Sequence, residues 1–349
     1  MRQNKRTCLL TSLIMSLSFI GCAQSEDLEQ EQEKLGICFM PMDMKVTRAT
    51  STNVENITTF GVSCSIYPAA SIYTSAGCGS YFYNEEIQAE TGYSGYYWPG
   101  TNYHVSFFAY APYGNSALSV TSSANQLGAP TYTYTVPTTI ANQLDFVTAD
   151  VKEHIGISDE PVPLTFNHQC AEIKFNCYNQ GLDAITVHSV AIKGVKYTGT
   201  CTDGVWTLDN SLNSLLVNPF VLSMEQNIDG DETVDLTGTS NHFIMLPQTV
   251  MSGTEIFDVY ATVNGATNHY YWTLENNLTL QAGKSYTFRL ILGNMLLTVD
   301  EETLIEDWEC DFNQVVSSTN WNHEQDNIFN TDDWENETNT SFGADDWIY

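Results

Sequence analysis

The sequence predicts an all-β protein built from two tandem antiparallel β-sandwich domains with an acidic C-terminal tail. Three observations carry that expectation. Residues of high β-propensity are abundant: 19 Tyr and 16 Phe stand in 349 residues, and such side chains fit a pleated, half-buried surface. Short apolar-aromatic runs recur between Gly, Asn, Ser and Pro punctuation, and no long stretch carries a clean helical stripe. The length suits roughly two domains, and a hydrophobic fraction of 42 % suffices to bury real cores.

Charge narrows the function classes. The formal charge is −30, yet charged residues make up only 15 % of the chain, so the imbalance comes from scarce bases. Downstream of Arg48 the bases are Lys152, Lys174, Lys193, Lys196, Lys284 and Arg289. A nucleic-acid binder needs basic groups to displace counterions from phosphates, and no nucleic-acid partner is expected. Docking through a basic patch on an anionic membrane is excluded on the same ground.

The N-terminus reads as an address. Residues 1–21 form a secretory signal, with Arg2, Lys5 and Arg6 at its start and an apolar stretch from Leu9 to Ile20. That stretch is too short to span a bilayer comfortably. It ends in Phe19-Ile20-Gly21-Cys22, which resembles a bacterial lipobox with Cys22 as the lipidated residue; Phe19 stands where Leu is usual. Acidic residues from Glu26 to Glu33 follow and resemble a surface-export signal of lipoproteins.

A strand and an arginine come next. Met40, Met42, Met44 and Val46 alternate with Pro41, Asp43, Lys45 and Thr47, a period of two that predicts a strand with the methionines and Val46 on its buried face. Pro41 cannot donate to a ladder, so the position is an edge or a strand start. Arg48 follows directly. The other arginines are Arg2, Arg6 and Arg289; two lie in the signal, and Arg289 sits in an apolar run expected within a sheet. An arginine-specific protease acting on the exported, folded chain would find one target, between Arg48 and Ala49. Residues 22–48 therefore read as a propeptide.

The body divides into two sets of strands. The first, 49–160, includes Gly61–Tyr67, Tyr103–Ala111 and Thr131–Val136. The second, 161–312, includes Val162–Phe166, Glu172–Phe175, Thr186–Ile192, Val205–Leu208, Phe243–Pro247 and Phe257–Val263. A hairpin between Tyr260 and Trp272 turns at Asn264-Gly265.

Taken in order, these pieces resemble a fimbrillin, a subunit of type V pili in Gram-negative anaerobes. The features are the lipobox at Cys22, the junction Thr47-Arg48-Ala49, and Trp98-Pro99 leading into Val105–Pro112. They continue with Asp145-Phe146-Val147-Thr148-Ala149, Val162-Pro163-Leu164-Thr165-Phe166-Asn167-His168 and Leu280–Phe288. The resemblance covers residues 10–310. It implies transthyretin-like sandwiches, delivery to the outer membrane on a lipid anchor, and release of the N-terminal strand by an arginine-specific protease. The emptied groove then accepts a strand from another subunit, so the expected partners are other pilus subunits, and the final location is an extracellular fimbrium. Ala49 becomes the mature N-terminus.

From Asp300 to Tyr349 the chain holds 15 acidic residues and no Lys or Arg, with Trp308, Trp321, Trp334 and Trp347 spaced 13 residues apart. The run Asp307-Trp308-Glu309-Cys310-Asp311-Phe312 alternates acid and apolar. Trp308, Cys310 and Phe312 thus mark a candidate donor strand or the final strand of the second domain. Residues 313–349 form the acidic tail.

The residues do not call for catalysis or a cofactor. With Cys8 in the signal, Cys22 at the lipid site and Cys38 in the propeptide, six cysteines remain: Cys64, Cys78, Cys170, Cys177, Cys201 and Cys310. Cys170 and Cys177 are an odd number of residues apart in an expected strand and face opposite ways, so buried free thiols are expected for both. His168, Cys170 and Glu172 would share one strand face, but this order is not a common ligand pattern, and no metal is expected. Asp229-Gly230-Asp231-Glu232 lacks the ligand series of a calcium loop. The motifs of zinc hydrolases, phosphate loops and nucleophile elbows do not occur in the sequence. The alternative reading is a surface glycan-binding lipoprotein, with Tyr93, Tyr96, Tyr97 and Trp98 as stacking residues.

Overall fold

The computed structural model describes residues 35–42, 58–72, 78–121, 128–209, 220–238, 240–293, 296–300 and 303–308. Among them the chain is all-β apart from a 3-10 turn at Ile140–Asn142. Ten strands open the fold: β1 (Gly36–Met42), β2 (Thr59–Pro68), β3 (Gly79–Gln88), β4 (Tyr93–Tyr97), β5 (Tyr103–Ala111), β6 (Leu118–Val120), β7 (Thr131–Thr135), β8 (Val147–Ile155), β9 (Val162–Thr165) and β10 (Asn167–His168). A three-stranded sheet in the order β4-β1-β9 faces a five-stranded sheet in the order β10-β8-β5-β2-β3. Ile37, Phe39, Val162 and Leu164 from the smaller sheet meet Phe60, Val62, Val105 and Phe107 from the larger in one core. β5 is buried along nearly its whole length, which accounts for its unbroken apolar sequence. Val105, Phe107 and Ala109 face the first core, while Tyr110 joins a second one.

The second core gathers the remaining strands: β11 (Ala171–Asn179), β12 (Ile185–Ile192), β13 (Thr198–Thr202), β14 (Val205–Leu208), β15 (Phe220–Ile228), β16 (Thr233–Asp235), β17 (Phe243–Met245), β18 (Gln248–Val250), β19 (Glu255–Val263), β20 (Ala266–Thr273), β21 (Leu278–Leu280), β22 (Lys284–Leu292), β23 (Leu297–Val299) and β24 (Leu304–Asp307). One sheet runs β16-β11-β22-β23, with β17 also on β11 and β24 also on β22; β11 and β22 are parallel. It faces the sheet β15-β12-β19-β20. Phe175 of β11 and Phe288 of β22 pack edge-on against Phe257 of β19 at 4.9 and 4.8 Å, a preferred aromatic geometry. β18 and β21 form a two-stranded ribbon.

The hairpin expected at Asn264-Gly265 forms between β19 and β20, with φ of 53° and 76° at the two turn residues. Arg289 lies within β22, as its apolar neighbours require, and its guanidinium stacks 4.7 Å over the Tyr178 ring. Cys170 and Cys177 are buried and unbridged.

Three expectations change. The first core reaches past residue 160: Val162, Leu164 and Phe166 are buried in it, because β9 lies parallel beside β1. The strand at 131–135, assigned by sequence order to the first domain, instead joins β13 in a four-stranded sheet, β14-β13-β7-β6. There Tyr132 and Tyr134 pack on Phe146 at 5.3 and 6.2 Å, so aromatic burial outweighs chain proximity. Finally, His168, Cys170 and Glu172 do not share a strand, since β10 ends at His168 and β11 begins at Ala171.

Candidate functional site

β1 occupies the middle of the smaller sheet of the first sandwich. It runs antiparallel to β4, with Gly36 opposite Tyr97 and Cys38 opposite Tyr93. It runs parallel to β9, with Phe39 to Met42 opposite Val162 to Thr165. β4 and β9 meet only through β1 in this sheet. The Phe39 N–H donates to Gly92 O at 2.8 Å, the Ser94 hydroxyl to Ile37 O at 2.9 Å and the Trp98 N–H to Leu35 O at 3.0 Å. Pro41 lies in the half of the strand beyond the β4 register, so its missing N–H leaves no gap in that ladder.

The buried face of β1 differs from the sequence expectation. Ile37 is fully buried and Phe39 is 4 % exposed, whereas Met40 and Met42 are each 43 % exposed. The Phe39 ring meets Phe107 edge-on at 5.0 Å and Phe60 at 6.4 Å. Both faces of this segment are apolar, so alternation alone permits either; the larger rigid ring takes the core, and the flexible methionines take the outside. Met44, Val46, Arg48, Ala49 and Cys22 lie outside the described residues. Burial of Ile37 and Phe39 supplies about 1.5–3 kcal/mol for each side chain.

The walls are shaped for a strand. Gly92 has φ of 61°, and a Cβ there would lie 1.9 Å from Phe39 O. Only glycine lets the turn before β4 come so close to the backbone of β1. Burial pushes the Tyr93 and Tyr96 phenols up, with Tyr97 adding to the first and Glu85 to the second. β1 itself carries no charged side chain. The site therefore works by backbone pairing and apolar burial rather than by charge.

At the other end, β24 lies antiparallel on the β22 edge, with Lys284 to Thr287 opposite Asp307 to Leu304. All four of its residues are exposed. The anchor is Trp308, which is buried, stacks on His168 at 4.0 Å and 8°, and donates its backbone N–H to Gly283 O at 2.8 Å. His168 Nδ1 is 2.7 Å from Asp145 Oδ1. Cys310 and Phe312 fall outside the described residues.

The other singled-out residues separate. Tyr96 stacks on Phe82 at 4.5 Å and donates to Glu85, and Trp98 stacks on His154 at 4.9 Å. Tyr93 and Tyr97 remain exposed. Glu172 forms a buried network: His242 Nδ1 lies 2.5 Å from Oε1, the Ser285 hydroxyl donates to Oε2 at 2.6 Å, and Lys174 is 3.1 Å away. Burial pushes the Glu172 carboxyl up, but the bond and charge of His242, aided by Lys174 and Ser285, hold it below its ordinary value. Burial likewise pushes His242 down, and Glu172 with the Gly238 carbonyl raises it above its usual value. Ser285 bonds the carboxylate, an arrangement that ties β11 to β22.

Sequence reasoning missed Ile37, Phe39, Gly92 and the β9 wall. The available signal was Gly36-Ile37-Cys38-Phe39, a glycine followed by the most β-prone apolar pair in the segment.

Fold and site together define a class: an all-β sandwich protein whose first sheet is completed by its own N-terminal strand. A family model described as fimbrillin-like matches residues 47–308, and the chain belongs to that family. Fimbrium subunit Fim1C of Phocaeicola vulgatus is 25 % identical over 187 residues, covering 47 % of this chain. The match spans 49 % of that relative's length. A crystal structure of a fimbrial protein from Bacteroides vulgatus superposes with a TM-score of 0.59 at 19 % identity, over 78 % of this chain and 99 % of that one. This likeness is one of fold.

Proposed function

We propose that the chain is a structural subunit of a cell-surface fimbrium that polymerises by strand exchange. It is exported as a lipoprotein through Cys22, held on the outer membrane, and cut between Arg48 and Ala49 by an arginine-specific protease. β1 then leaves, and a strand from a neighbouring subunit fills its place. The observation that supports this most is the position of β1 between β4 and β9, strands that do not pair with each other.

Loss of β1 uncovers an apolar slot and two unpaired backbone edges, which is unfavourable for an isolated subunit. A donated strand repairs both deficits. The contact is heterologous and does not close on itself, so it builds a filament. The donor we favour is the segment at Trp308, Cys310 and Phe312. Its period of two matches the spacing of Ile37 and Phe39, and the exposed β24 can be peeled from β22 at the cost of the Trp308 anchor.

The test is controlled processing. Purified precursor is treated with an arginine-specific protease, its N-terminus read by mass spectrometry and its assembly followed by electron microscopy. Wild-type protein should begin at Ala49 and form filaments, while Arg48→Ala stays an uncut monomer. Filaments from Arg48→Ala would refute the processing step.

A further inference from the structure

The outward face of the β15-β12-β19-β20 sheet carries exposed rings that strand exchange does not use. Along β19 and β20, Phe257, Val259, Tyr270 and Trp272 serve the second core. The alternate residues point outward and pair across the strands as Asp258 with Tyr271, Tyr260 with His269, and Thr262 with Thr267. His188 joins from the bulge in β12. Ring centroids are 5.4 Å apart for His188 and Tyr260, 4.6 Å for Tyr260 and His269, and 6.2 Å for His269 and Tyr271. Tyr260 is 37 % and Tyr271 49 % exposed, and the His269 side chain 54 %. A contiguous aromatic tract thus crosses three strands.

Polar groups are set into it. A hydrogen-bonded chain runs from Glu225 to His188 at 3.0 Å, on to Thr262 at 2.8 Å and to Thr267 at 2.6 Å. The Lys193 ammonium lies 4.3 Å over the Tyr271 ring and pairs with Glu255 and Asp258.

We propose that this face binds a neutral glycan. A sugar ring presents a C–H face that packs on aromatic rings and a rim of hydroxyls that bond to carboxylates and threonines, which is the mixture found here. An aliphatic protein surface would strip water from Glu225, Asp258 and the threonine hydroxyls without replacing it, a costly exchange. An anionic sugar meets three carboxylates on a chain of net charge −30, and long-range repulsion opposes it. A cationic ligand finds the cation position over Tyr271 already taken by Lys193. What remains favourable is an uncharged polyol.

The purified full chain is tested before polymerisation, so the result is independent of the groove reading. Probes are an array of neutral oligosaccharides, sialylated and sulfated oligosaccharides, and octalysine. The wild type should retain neutral glycans in preference to the charged probes. Tyr260→Ala/Tyr271→Ala should lose binding at least tenfold with its melting curve kept. Tyr260→Phe, which keeps the ring, and Tyr103→Ala, an exposed ring on β5, should bind as wild type. Absence of neutral-glycan binding, preference for the sialylated, sulfated or cationic probes, or undiminished binding by the double variant would each overturn the proposal.

Discussion

Replacing Phe39 with alanine separates the two faces of β1 energetically. Phe39 is 4 % exposed and touches Phe107 and Phe60, while Met40 next to it is 43 % exposed. Truncating a buried Phe to Ala costs about 3–5 kcal/mol through lost transfer energy and the cavity left behind. Truncating a half-exposed Met costs about 1 kcal/mol or less. A folded domain has about 5–15 kcal/mol in reserve, so Phe39→Ala should be soluble but clearly weakened. In urea unfolding of the uncut precursor it should show the larger loss. In the proposed processing the same difference governs retention of the clipped strand. At about 1.4 kcal/mol per tenfold change, retention of Phe39→Ala should fall by roughly two to three and a half orders of magnitude, read as released propeptide by mass spectrometry. Both variants yield the same mature chain if the strand departs, so mature filaments should be indistinguishable. Equal losses for Phe39→Ala and Met40→Ala, or a larger loss for Met40→Ala, would refute the assignment of faces.

Gly92→Ala combines φ of 61° with a Cβ 1.9 Å from Phe39 O, whereas Gly95→Ala at φ of 83° meets nothing within 4 Å. Left-handed backbone costs each about 1–2 kcal/mol, but only Gly92→Ala should expose β1 amides to hydrogen exchange; matching profiles would contradict the close approach. Trp308→Ala should cost about 3–5 kcal/mol and remove exchange protection first at residues 285–287, opposite β24; a uniform loss would argue against a local latch. The Glu172–His242 pair should give stability a maximum in mildly acidic solution. His242 is raised above its ordinary value of 6.5, so its contribution is complete below that value and fades as pH rises through the folded one. Glu172 is lowered below 4.5, so its contribution is complete above that value and fades as pH falls through the folded one. Urea midpoints against pH should peak between about 4.5 and 6.5 and flatten there in Glu172→Gln; an unchanged profile would remove the pair as the cause.

Much of this fold can be read one segment at a time. Alternation and β-propensity locate most strands, Asn264-Gly265 supplies a turn that matches strand twist, and the apolar neighbours of Arg289 place it in a ladder. These features depend on a few consecutive residues. The site around β1 was legible only in part. A strand before Arg48 was evident, but Cys38, Met40 and Met42 compete with Ile37 and Phe39 for the core, and nothing local ranks them. The glycine that admits the strand lies more than fifty residues away, in the turn before β4.

By itself, then, the sequence determined an all-β chain with a scarcity of bases and an apolar strand ahead of Arg48, because composition and period two act within each segment. Tertiary structure decided which side of β1 is buried, that β9 closes the first core, that β7 joins the second, and that Trp308 settles on His168. Those outcomes turn on which surfaces, far apart along the chain, gain most by leaving water together, and a one-residue change of register reverses every side chain.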